Sequence, residues 1–230
     1  MTPAESLQLD MQHLREKNEA FFKNYEPSVY QLIKGKKLGS IDLQIIKSGD
    51  SLELDVIEQG QSLYFNKGQY YCQQEADKFL KQMSPGNLFP PFVTTDSSIF
   101  SFKRVGSMHF KELADHVGQQ VDAFDRVPLP DFYPLLVITG TGLSFHIENI
   151  LNNRNVGSLI IYEHSIERFL VSLYSVDWQH IYQKFDPDKG TSIQLIISAN
   201  DDPNVLKGIL WNELVHYCPQ FPFTTLFYNH

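Results

Sequence analysis

The residues of this chain whose types and spacing could do chemistry gather in one stretch, Leu135 to Glu163. Gly140-Thr141-Gly142 and Ser144 lead into His146, and Glu163 is followed directly by His164. Closely spaced glycines let backbone N–H groups at a helix start approach an anion. A carboxylate about 20 residues further on can hold ribose hydroxyls. Gly140, Thr141, Gly142, Ser144, His146, Glu163 and His164 are therefore the candidate binding residues. The ligand they would take is a nucleotide or an S-adenosylmethionine-like molecule. His146 and His164 would supply acid–base groups if the fold brought them together. Each residue also has a structural reading. Glycines equally let a helix pack close to its strand, Glu163 could be a solvated strand-end acid or a helix cap, and a histidine opening a helix is commonly a hydrogen-bonded structural residue.

The fingerprints are incomplete. A full dinucleotide turn would place glycine at Phe145, and a methyl-donor turn would place an acid and a third glycine where Ile138 and Ser144 stand. There is no GxSxG elbow, no phosphate-binding GxxxxGK[ST], no HExxH and no kinase set. Asp186-Pro187-Asp188-Lys189-Gly190 lacks the spaced acids and distal glutamate of a calcium loop and reads as a turn. His109 and His116 fall on one predicted helix but not at the i, i+4 spacing of a zinc pair. Cys72 and Cys218 have no CxxC spacing, and Cys72 reads as buried filler. No catalytic residue and no metal ligand is assigned.

The elements that must position the candidate site are legible from periodicity. The apolar run Leu135–Ile138, the glycine turn, a helical pattern through Phe145, Ile147, Ile150 and Leu151, and a second run Leu159–Tyr162 make strand, turn, helix, strand. A helical pattern from Ile166 to Phe185, interrupted near Asp177-Trp178, follows. Then come a strand at Ile193–Ile197, a helix from Asp201 through Val215 and a last strand at Phe223–Tyr228. Such alternation predicts a parallel sheet with right-handed crossovers.

The earlier part reads differently. A helix over Ser6–Asn24 precedes an antiparallel meander of Ile41–Ile45, Leu52–Val56 and Ser62–Phe65. Helices follow at Tyr70–Met83 and Met108–Phe124, separated by the irregular Leu88–Ser101. The meander glycines are turn residues, since no helix opens directly after them. Arg126–Pro134, with three prolines, reads as a linker. The fold class is thus α/β, a Rossmann-like parallel sheet in the C-terminal half (127–230) preceded by a smaller α+β part (1–126).

A net charge of −8 disfavours a sequence-independent nucleic-acid binder, which needs excess Lys and Arg on one face. No apolar run approaches the roughly 20 residues of a membrane span, and the N-terminus has no signal-peptide pattern. Two distant cysteines fit a reducing compartment, so a cytoplasmic location is expected. The final strand, if it forms an exposed edge, would permit homo-oligomerisation.

The run Val137-Ile138-Thr139-Gly140-Thr141-Gly142-Leu143-Ser144-Phe145-His146, then Ile160-Ile161-Tyr162-Glu163, then Leu173-Tyr174-Ser175-Val176-Asp177-Trp178 resembles the N-terminal domain of motility accessory factor proteins. These are bacterial flagellin glycosyltransferases related to the 6-hydroxymethylpterin diphosphokinase-like group. The closing Leu226-Phe227-Tyr228-Asn229-His230 looks like the strand that finishes that domain. The likeness covers about residues 130–230. It implies a cytoplasmic protein that helps attach nonulosonic acids, delivered as CMP-sugars, to flagellin or another protein substrate. The family's transferase chemistry is assigned to a following central domain, so this chain would be the non-catalytic leading module of a longer protein.

Overall fold

A computed structural model of the chain describes residues 2–49, 51–82, 132–198, Gly208 and 224–228. The expected division at 126/127, the irregular stretch 88–101, the helix 108–124 and all but Gly208 of the helix 201–215 lie outside the described residues.

The chain opens with α1 (Pro3–Tyr25), where Thr2 and Glu5 form a reciprocal capping box and Pro3 takes the first helical position. A short α2 (Pro27–Ile33) turns back beside it. The meander follows as β1 (Ile41–Ser48), β2 (Ser51–Glu58) and β3 (Gln61–Ser62), antiparallel in the order β1-β2-β3. Gly49 and Gly60 hold positive φ at the two hairpin turns, as turn residues should.

The third strand is far shorter than the alternation Ser62–Phe65 predicts. The reason is Asp55, buried within β2. Its carboxylate accepts from the backbone N–H of Val56, Tyr64 and Asn66 and from the Ser62 hydroxyl. That acceptor pulls the chain out of the ladder and around it, leaving Phe65 and Asn66 in the left-handed region. Next, α3 (Gly68–Gln82) begins where a side chain at Gly68 would stand 2.1 Å from the Leu54 carbonyl oxygen and 2.4 Å from Leu143. Only glycine admits that approach.

The second sheet is built from β4 (Phe132–Thr139), β5 (Asn155–Glu163), β6 (Ser192–Ile197) and β7 (Thr224–Tyr228), all parallel in the order β6-β5-β4-β7. Phe132–Pro134, read as the end of a linker, belong to β4 instead. Pro134 falls where β5 alone runs beside β4, ahead of the β7 pairing that starts at Leu135, a position where a missing N–H is tolerated. Between strands run α4 (Phe145–Asn153), α5 (Ile166–Ser172) and α6 (Trp178–Tyr182). The long pattern 166–185 divides because Asp177 adopts an extended conformation and caps α6 through the His180 N–H. Asp186–Gly190 forms the expected turn, a short 3-10 segment over Pro187–Lys189 closed by Gly190 at positive φ.

One buried cluster joins both parts. Phe22, Ile33 and Ala76 meet Leu136, Ile138, Ile147, Ile161, Phe169 and Trp178 in it, while Leu135, Val137 and Ile160 pack on the opposite face of the sheet. Trp178 is fully buried, with Phe22 and Phe169 rings 5.9 and 5.4 Å away. Burial of one such ring contributes roughly 3 kcal/mol. Asn18 of α1, also buried, donates to the carbonyls of Leu173 and Val176 and accepts from the Trp178 N–H. Those are the groups left open where α5 ends and α6 begins, so α1 completes the backbone pairing of the later half. α1 therefore packs on its own protein. No helix among the described residues is long and apolar enough to cross a membrane.

Candidate functional site

The candidate residues do converge. β4 ends at Thr139, Gly140–Ser144 turn the corner, α4 starts at Phe145, and β5 runs beside β4 to end at Glu163. β4 is also where strand order reverses, with β5 and β6 on one side and β7 on the other. In open α/β sheets ligands collect outside the strand C-termini at such a reversal.

The corner itself is closed by its own chain. Gly140, Gly142 and Ser144 all have positive φ, which turns successive backbone groups inward. The Gly140 N–H donates to the Tyr162 carbonyl at 2.8 Å and the Ser144 N–H to the Thr141 carbonyl at 2.7 Å. The N–H and hydroxyl of Thr141 both donate to Glu163 Oε2, at 2.7 and 2.8 Å. Glu163 Oε1 accepts the Ser165 N–H at 2.9 Å. Leu143 is fully buried, and its N–H donates to the Tyr64 hydroxyl at 3.3 Å. Glu163 thus acts as a clasp between the two strand ends, with both oxygens engaged by protein groups.

The two histidines have unlike surroundings. His146 is buried, and desolvation pushes its pKa down to about 4 against a raising contact from the Gly140 backbone. The backbone N–H of His146 faces the thiol of Cys72, whose pKa burial raises to about 12. His164 has a half-exposed side chain, with Nδ1 3.4 Å from Glu163 Oε1. One histidine is held neutral in the core and the other faces solvent, an arrangement unlike a matched acid–base pair. Cys72, buried as expected, holds its thiol protonated and inert.

Tyr64 and Arg168 are the residues at this corner that spacing does not point to. Tyr64 comes from the loop after β3, and Arg168 from the first turn of α5, where it pairs with Glu58 of β2 at 2.7 Å. With Val56, Leu63 and Val171 they roof the glycines, leaving a cavity of ≈ 10 Å³. That is room for about one water, against roughly 300 Å³ or more for a small-molecule pocket. No cluster of His, Cys, Asp or Glu among the described residues could hold a metal ion.

The model of the glycosyltransferase Maf N-terminal domain matches residues 14–230. The chain belongs to that family. Among solved structures it is similar to the Maf glycosyltransferase from Magnetospirillum magneticum AMB-1, with a TM-score of 0.64 at 20% identity. The match covers 94% of this chain and 32% of that one, so this Maf domain spans about a third of the solved protein. At that identity the likeness is one of fold. No curated protein matches the chain. The family match extends well before residue 130, where the sequence resemblance began, and takes in the second half of α1 and the whole meander.

Proposed function

We propose that the chain is the non-catalytic N-terminal module of a motility accessory factor-type protein that attaches nonulosonic acids to flagellin in the bacterial cytoplasm. Its role there is to recognise the acceptor protein or to organise the assembly, while sugar transfer belongs to another part of the protein. The observation that carries this reading, beside the family match, is the clasp at Glu163. A fully buried carboxylate whose Oε2 accepts twice from Thr141 and whose Oε1 accepts from Ser165 has three of its about four acceptor sites taken, too few left to hold the pair of ribose hydroxyls. The N–H groups of Gly140, Thr141, Leu143 and Ser144, which would otherwise face an anion, are engaged as well.

The purified chain, mixed with a CMP-nonulosonate and flagellin, is expected to transfer no sugar while binding flagellin measurably in interferometry. Transfer by this chain alone would overturn the proposal. A thermal-shift screen with S-adenosylmethionine, NAD and CMP is expected to be flat. A saturating ligand at a hundredfold excess over Kd would add about 2.7 kcal/mol, and a shift lost in Glu163→Gln would favour a small-molecule transferase instead. Strand β7 lies at an edge of the described sheet and is where a copy of the chain would pair.

A further inference from the structure

Among the described residues, strand β1 forms the edge of the meander, paired with β2 alone. In an antiparallel ladder successive residues point their N–H and C=O alternately toward the partner strand and away from it. The Ile41 N–H points away, since it donates to Glu167 Oε2 at 3.2 Å. Leu43, Ile45 and Lys47 follow at the same phase, so each offers one N–H and one C=O along an open edge. Beside that edge lies a groove of ≈ 930 Å³ between β1 and the first turns of α1. Its floor is apolar, with Met11, Leu38, Leu43 and Ile45, and Leu9 stands 52% exposed on its α1 wall. Among the described residues, Glu5 and Asp42 are the charged ones lining it, and no lysine or arginine does.

We infer that this groove and the β1 edge together bind an extended segment of a partner protein, which joins the meander as an added strand. The open N–H and C=O groups supply the backbone bonds, and the period of two in a strand drops every second side chain onto the apolar floor. Glu5 and Asp42 select the charge, so the segment alternates apolar residues with lysine or other non-acidic polar residues. A second copy of the chain fits less well, because it would bring the same two acids to the same groove. The inference stands apart from the reading of the glycine corner, with which the groove shares no residue.

The test is fluorescence polarisation of the 230-residue chain with a labelled short peptide alternating valine with lysine and threonine. Saturable binding is expected, weakening with salt, together with slowed hydrogen exchange at the Leu43 and Ile45 amides. A peptide with glutamate in place of lysine should not bind. Leu9→Asp and Asp42→Lys should each weaken binding about tenfold, comparable to losing one buried apolar contact. Both positions are exposed, so an unchanged urea midpoint will certify that the variants fold. The proposal is overturned if no alternating peptide binds, or if neither substitution changes the affinity. It is equally overturned if light scattering finds a dimer that Leu9→Asp dissociates, since a second copy would then occupy the groove.

Discussion

Glu163 shows how one side chain can look like a ligand-binding acid and act as a fastening. Replacing it with alanine strands the Thr141 and Ser165 N–H groups in a buried corner. Glu163→Ala is expected to cost about 3 kcal/mol in urea unfolding, and Glu163→Gln about half that. A residue kept for a ligand would leave stability nearly untouched when changed. His146 gives a second test. Its folded pKa of about 4 lies below the ordinary 6.5, so the unfolded chain takes up a proton that the folded one refuses. Stability is then full above pH 6.5 and falls as pH drops, by about 3 kcal/mol on reaching pH 4. Urea midpoints measured across that window should slope for the parent chain and flatten for His146→Gln. Cys72 completes the set. In a Cys218→Ser background it should resist iodoacetamide at pH 8 until the protein is unfolded, because its thiol is held near pKa 12.

Among the elements, Gly68 sets how closely α3 approaches the meander and the corner. Gly68→Ala would force its Cβ against backbone, at Leu54, as well as against Leu143. It is expected to lower stability by about 2–3 kcal/mol in thermal unfolding. Gly35→Ala, where a Cβ meets open space, should cost only the strain of positive φ, about 1 kcal/mol. The strands were legible in advance because a buried parallel sheet needs continuous apolar runs, as at Leu135–Ile138 and Leu159–Tyr162. The brevity of β3 was not, because it depends on a carboxylate at Asp55 that reads from sequence as one more polar residue in an alternation. The glycine corner was visible as a turn. Its closure was not, because the Tyr64 hydroxyl that caps Leu143 comes from 79 residues earlier, and no periodicity reports a contact of that range.

At the scale of the molecule, residues from both of the parts expected from sequence meet in one buried core. Phe22, Ile33 and Ala76 share one buried cluster with Phe169 and Trp178, and the Phe22 ring touches both. Expressed alone, residues 127–230 are expected to lack near-ultraviolet circular dichroism and a cooperative unfolding transition, and adding residues 1–126 in trans is the corresponding rescue experiment.

The seat of Asn18 against Trp178 has a consequence for biosynthesis. The two residues are 160 positions apart, so at ordinary elongation speeds α1 leaves the ribosome about ten to thirty seconds before its dock exists. During that interval Phe22 lacks the Phe169, Trp178 and Tyr182 rings that cover it in the folded protein, and a nascent-chain chaperone is the natural agent to shield it.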